Sequence, residues 1–265
     1  MFTTDDHTFA LCAYGKSPYL EACIQSLLAQ SLRTRILIAT TTPNETISSL
    51  AEKYDLPLYI NEGQPGIAHD WNCAIAHSGT PLVTIAHQDD VYEPAYAKTM
   101  LSAMNSVPDP LIFFTNYGEL RDGKRVDKNR LLDIKRALLK PLECKRFARS
   151  KFVRRRCLSI GSSICCPSVT LALPNLEKPV FEAGFKSNLD WQAWERISKR
   201  DGSFLYAPEI LMYHRIHEGS ETSALIRDNT RTAEDREMLE HFWPKPLAAI
   251  INRVYASGQN SNSVG

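Results

Sequence analysis

Nowhere in this 265-residue chain does an apolar run approach the roughly 20 residues that cross a bilayer. Its start, "MFTTDDHTFALCAYG", is acidic ahead of the apolar stretch, where a secretory leader would be basic. The seven cysteines show no paired spacing, and two are neighbours in "ICCPS". That pattern suits reduced thiols and argues against a disulfide framework or a zinc site. Neither sign of charge prevails, because 31 Lys and Arg face 30 Asp and Glu. A net charge of +1 does not suit a dedicated nucleic-acid binder. Glycine is sparse where phosphate cradles need it. The first strand-to-helix turn, "CAYGKSPY", has one glycine where a dinucleotide site needs G-x-G-x-x-G, and G-x-x-x-x-G-K-[ST] is absent. "GSSIC" does not supply the serine elbow G-x-S-x-G. The expectation is a soluble cytoplasmic protein.

What is present is an alternation of short apolar runs with helical patterns. Strands are expected at 8–14, 34–40, 57–62 and 81–87, with helices at 17–31, 44–55 and 66–78 between them. Ser17 is placed as N-cap of the first helix, with Pro18 at its first position. Such βαβ units imply an α/β fold, with a Rossmann-like, mostly parallel central sheet flanked by helices. Ligands gather at the carboxyl ends of strands in sheets of this kind. Further on, the pattern predicts a helix at 93–107, a strand at 110–120, a loop and strand at 159–173, and a helix at 187–202 capped by Ser187 or Asn188. Two helical pieces parted by "WPKP" follow Thr230, and the final "GQNSNSVG" reads as disordered.

"AHQDDVYEP" sets Asp89 and Asp90 directly after the apolar run "PLVTIA". Adjacent carboxylates repel, and burying either is costly unless a cation sits between them. The alternative is a simple turn, since Asp side chains bond to nearby backbone amides. Their place just past a strand end favours a site. Without a glycine cradle, a bound nucleotide diphosphate would need a carboxylate-held Mg²⁺ or Mn²⁺ together with His or Arg. A second cluster runs from Lys135 to Arg156, with ten Lys or Arg against the single acid Glu143. It reads either as a solvated amphipathic helix broken at Pro141, or as a surface for anionic lipid headgroups or a phosphorylated substrate.

"FALCAYGKSPYLEACIQSLLAQS", "GIAHDWNCAIAHS", "PLVTIAHQDDVYEP", "FKSNLDWQAWERI" and "HRIHEGSET" occur in the order in which family 2 glycosyltransferases carry their motifs. The chain resembles that family over roughly residues 8 to 223. The resemblance implies a GT-A fold over 1–223, with a nucleotide-sugar half to about 120, an acceptor half beyond, and a helical extension with a flexible tail over 224–265. It implies an inverting, metal-dependent transferase that uses a nucleotide-diphospho-sugar, with a UDP-sugar favoured, and Mn²⁺ or Mg²⁺. The acceptor would be a glycan or a lipid-linked hydroxyl in bacterial surface polysaccharide synthesis, reached through peripheral contact of 135–156 with an anionic membrane.

By the same resemblance Asp190 is the general base, Asp90 and His217 hold the metal, and Asp89 holds ribose or a metal-bound water. Cys12, Ala13, Tyr14, Thr40, Asp70, Asn72, Gln88 and Arg215 line the nucleotide-sugar. Thr40 or Thr41 in "IATTTPN" stands where many members carry a base-binding Asp, and Cys12 where Thr or Ser is usual. His214 is expected to point away from Arg215 on an extended segment. Trp191 and Trp194, three apart on a helix, are expected in the core. A sugar nucleotidyltransferase of similar fold and a non-catalytic glycan- or lipid-binding module are the alternatives.

Overall fold

The computed structural model describes residues 1–217 and 230–259. Its first half follows the expected alternation. β1 (His7–Cys12), β2 (Arg35–Thr40), β3 (Leu58–Ile60) and β4 (Leu82–His87) are parallel neighbours in the order β3-β2-β1-β4. α1 (Leu20–Leu28), α2 (Glu45–Lys53) and α3 (Ile67–Ser78) connect them. Both faces of these strands are covered. Phe9 and Leu11 enter one apolar cluster and Ala10 the other, as the two-residue period of a strand requires.

Beyond β4 the sheet becomes mixed. β8 (Val169–Ala172) pairs antiparallel with β4 and with β6 (Pro110–Arg121). β6 then runs parallel to β9 (Ser203–Ile216), and β7 (Lys124–Val126) folds back on β6. The two-residue β5 (Val91–Tyr92) pairs antiparallel with β9 at Tyr213 and Met212. That short ladder brings the acidic turn after β4 beside the late "HRIH" segment. α4 (Tyr96–Met104) follows β5.

Residues 135–156 are less of a surface than their composition suggests. They fold as α5 (Arg130–Leu139), two short 3-10 turns around Pro141, and α6 (Lys151–Leu158). Arg154 is fully buried and donates to the carbonyls of Ser198, Gly202 and Arg200, which close the end of α7 (Leu189–Ser198). Arg155 pairs with Glu195, Arg149 with Asp109 and Lys151 with Asp201. Trp191 and Trp194 are both in the core, at 0% and 1% exposure.

The C-terminal helices α8 (Thr230–Glu240) and α9 (Lys245–Gln259) join the same core through Met238, Leu239 and Ala248. Trp243 Nε1 donates to Ser159 O at 2.6 Å. Residues 218–222 of the late motif and residues 260–265 of the expected tail lie outside the described residues.

Candidate active site

Ser17 is not the cap of α1. The helix begins at Leu20 with Tyr19 in the N-cap position, and the Ser17 hydroxyl donates instead to Asp89 Oδ1 at 2.7 Å while accepting from Tyr19 N at 3.2 Å. Asp89 Oδ2 lies 3.1 Å from His217 Nε2. The loop after β1, the turn after β4 and the end of β9 therefore meet at one carboxylate. Arg215 closes this side, donating Nε to Asp89 O at 2.8 Å with its guanidinium 4.2 Å from the centre of the Tyr19 ring. The Asp89 side chain is 25% exposed, so solvent and ligands reach it.

Asp90 occupies a different environment. It is fully buried, and its Oδ1 accepts from His214 Nδ1 at 3.0 Å and from Arg215 N at 2.9 Å. Oδ2 has no hydrogen-bond partner and sits 3.9 Å from His87 Nδ1. Burial pushes this carboxyl up, but His214, His87 and the Arg215 amide outweigh it and hold the group below the ordinary carboxylate value. For His214, burial pushes the imidazole down and Asp90 overcomes that, leaving it raised. His214 thus lies in the site although β9 is regular from Met212 to Ile216: its ring reaches Asp90, while Arg215 gives Asp90 its backbone N–H and sends its side chain to Asp89 O.

Around the first turn, Gln88 is bidentate to Tyr14, accepting from its N and donating to its O at 3.0 Å each. The Tyr14 side chain is left 57% exposed. Ala13 is buried and its N–H is spent on Ala39 O at 2.9 Å. Cys12 is half-buried, and burial pushes its thiol up. Thr40 is only 1% exposed, and its hydroxyl accepts from Thr42 N at 3.0 Å. Thr41 donates to Asp70 Oδ1 at 2.9 Å, and Asn61 donates to the same oxygen at 3.1 Å. Asn72 ties α3 to the segment at Phe181. Its amide donates to Phe181 O at 2.7 Å and accepts from Phe181 N at 3.2 Å.

Asp190 stands in the first turn of α7, half-buried, with Oδ1 accepting from Trp191 N at 2.7 Å. Burial raises its pKa against that bond and against Arg231 and Lys135. Neither Ser187 nor Asn188 caps this helix through its side chain. Glu234 of α8 instead fixes the loop ahead of the helix, accepting from the amides of Lys186, Ser187 and Asn188 at 2.7, 2.8 and 3.0 Å. Asn188 Nδ2 also donates to Asp235 at 2.8 Å. The C-terminal extension therefore holds the loop that presents Asp190.

Residues 8–173 match the family model described as glycosyl transferase family 2. The chain belongs to glycosyltransferase family 2. No curated protein matches it in sequence. Among solved structures, TarS of S. aureus (residues 1–349) in complex with UDP-GlcNAc is 14% identical, with a TM-score of 0.62 over 97% of this chain and 73% of that one. The mannosyltransferase PcManGT of Pyrobaculum calidifontis, in complex with GDP-Man and Mn²⁺, is 13% identical, with a TM-score of 0.63 over 97% and 70%. Glucosyl-3-phosphoglycerate synthase of Mycobacterium tuberculosis, with Mn²⁺, UDP and phosphoglyceric acid, is 12% identical, with a TM-score of 0.57 over 91% and 80%. The transferase has the GT-A fold expected from its motifs.

Among the described residues of the transferase, no three His, Cys, Asp or Glu side chains are grouped to hold a metal. Asp89 and His217, 3.1 Å apart, could offer a carboxylate and an imidazole to a metal. That fits a Mn²⁺ or Mg²⁺ completed by substrate phosphates and water, as such cations are commonly held. No described helix is long and apolar enough to cross a membrane. Sequence reading missed Ser17, His87 and Glu234 as parts of the site and set His214 aside as pointing away from Arg215. Ser17 carried a signal only for a cap, while His87 and His214 stood inside the motifs "PLVTIAHQDDVYEP" and "HRIHEGSET".

Proposed function

We propose that the transferase moves a sugar from a nucleotide-diphospho-sugar to an acceptor hydroxyl with inversion, and that Asp89 rather than Asp90 is its metal carboxylate. The observation that carries the reading is the Ser17–Asp89–His217 junction at the carboxyl ends of β1 and β4. Asp89 is reachable and faces an imidazole, whereas Asp90 is sealed and engaged by His214 and the Arg215 amide. A divalent cation held by Asp89 and His217 would neutralise the diphosphate leaving group. Arg215 supplies a fixed positive charge on the same side, and its planar fork suits phosphate oxygens. Tyr14 offers an exposed ring for stacking on a base, with Gln88 fixing its backbone. Asp190 takes the proton of the attacking hydroxyl, and its burial-raised pKa makes it a better base than an ordinary carboxylate. Attack opposite the leaving diphosphate inverts the anomeric centre.

A thermal-shift panel of UDP, TDP, GDP and CMP, each with and without Mn²⁺, tests this. One nucleotide should raise the melting temperature only with metal, by about 2.7 kcal/mol of stabilisation at 100 times its dissociation constant. Nucleotide binding indifferent to metal would speak for a nucleotidyltransferase or a non-catalytic module.

A lipid-linked acceptor at an anionic membrane face is the reading that best uses the outer side of α6. There Phe152 is 71% exposed and Ile160 44%, with Arg156 lying over the rings of Phe152 and Trp243 at 5.5 and 4.7 Å. Lys145 and Arg146 are exposed alongside. Apolar side chains rimmed by cations suit a headgroup boundary. Neutralising Lys145, Arg146 and Arg156 together should release the protein from anionic vesicles in co-sedimentation. Unchanged binding would remove this part of the reading.

A further inference from the structure

α8 is a fixed arm. Its Met238 and Leu239 are buried in the core, and Asn252 of α9 donates to Thr232 O at 3.1 Å. Just past its start, the buried neighbours Glu234 and Asp235 both turn to one loop. Glu234 Oε1 accepts from Lys186 N, and Oε2 from Ser187 N and Asn188 N. Asp235 takes the Asn188 side chain. Bonds from backbone amides to a carboxylate are about twice as strong as neutral ones. Asn188 O in turn accepts Gln192 N at 2.9 Å, closing the first turn of α7 around Asp190. Because Asp190 Oδ1 is spent on Trp191 N, Oδ2 is the oxygen left to meet a substrate. Its direction follows the backbone at Asn188. Upstream, Asn72 fixes Phe181, and Arg196 pairs with Glu182. Between these anchors and Glu234 the chain has freedom, since Ala183 and Gly184 are exposed and Gly184 adopts a φ of 141°.

We propose that Glu234 is a positioning residue for turnover: by tying residues 186–188 to α8 it aims Asp190 Oδ2 at the attacking hydroxyl. The inference rests on Asp190 being the general base of the glycosyltransferase reading. Glu234 touches none of Asp89, Arg215 and His217, so its effect falls on the rate and not on donor binding.

The test reads the loop, the carboxylate and the rate separately on wild type, Glu234→Ala and Glu234→Gln, with circular dichroism melts confirming that each is folded. Without ligand, the amides of 186–191 should exchange hydrogen about tenfold or more faster in Glu234→Ala, while those of β1 and β4 do not change. The Asp190 carboxyl NMR signal, assigned by its loss in Asp190→Asn, should titrate lower in Glu234→Ala as water reaches it. Glutamine keeps an oxygen for Ser187 and Asn188 and should fall between. The rate is release of nucleoside diphosphate from UDP-GlcNAc and GDP-mannose with Mn²⁺ and water as acceptor. Asp190 takes the proton of the water, its oxygen bonds the anomeric carbon, and the electron pair of the broken bond leaves on the diphosphate. Glu234→Ala should lower kcat about tenfold to 10²-fold, as a misplacement of about 1 Å implies, with the donor KM within about twofold. Combined with Asp190→Asn it should lower the residual rate no further, because both act through one carboxylate. Unchanged exchange at 186–188, or an unmoved Asp190 signal, would overturn the proposal. So would an undiminished rate, a loss carried by KM, or a loss that persists in Asp190→Asn. If wild type turns over neither donor, the Asp190 signal decides. Failure of every nucleotide to bind would sink the transferase reading and leave the two ligand-free results standing.

Discussion

Asp190→Asn is expected to cut turnover about 10²–10⁴-fold, the usual weight of a general base. Metal-dependent nucleotide binding should survive, and the melting temperature near neutral pH should hold or rise. The asparagine keeps an oxygen for the Trp191 amide, which Asp190 Oδ1 now accepts at 2.7 Å, so the geometry of the α7 start is preserved. Burial raises the Asp190 pKa above its ordinary 3.8. Between 3.8 and the raised value the folded state therefore binds a proton that the unfolded state has released. Folding stability then falls as pH rises through that window, and above it the ionised carboxylate is a standing penalty that asparagine does not carry. The same shift places the acid limb of the turnover profile above that of an ordinary carboxylate. Rates at saturating donor and acceptor across about pH 4 to 9 would show the limb. A variant that keeps its turnover, or loses nucleotide binding along with it, would remove Asp190 from the role.

The two adjacent aspartates should fail in opposite ways. Asp89→Ala removes a partly exposed carboxylate, so stability should change by less than about 1 kcal/mol while metal-dependent nucleotide binding disappears. Asp90→Ala leaves His214 and the Arg215 amide facing an apolar methyl in a sealed position. Breaking a buried charged pair from one side costs about 3–5 kcal/mol. Urea unfolding with a Mn²⁺ titration of each variant would read both effects. Should Asp90→Ala remain as stable as wild type and lose only metal, the assignment of the two carboxylates is reversed.

Much of the first half could be read from the chain, because its information is local. Apolar runs such as "TFALC" and "RILIA" between amphipathic segments dictate buried parallel strands, and the sheet's handed crossovers then place their carboxyl ends together. The acidic pair after β4 was visible for the same reason. The division of labour inside that pair was not, since Asp89 and Asp90 are chemically identical in sequence. Tertiary structure separates them. β5 pairs with β9, and residues 124 to 128 positions away deliver His214 and Arg215 to one carboxylate and His217 to the other.

The basic segment shows a similar divide. Ten cations in 22 residues suggest a solvated face, yet Arg154 is consumed by carbonyls at the end of α7 and Lys135 is bonded to the Tyr117 hydroxyl. Glu234 is the extreme case. Nothing in "TAEDREMLE" marks it as the anchor of a loop some forty residues earlier, because a carboxylate that accepts three amides from a distant loop leaves no periodicity behind. The amino-acid pattern by itself determined the first four strands, their parallel arrangement and the acidic turn, through short-range periodicity. Only the folded structure decided which carboxylate is open to a ligand and which is a buried strut. Those properties depend on desolvation and on partners that are remote along the chain.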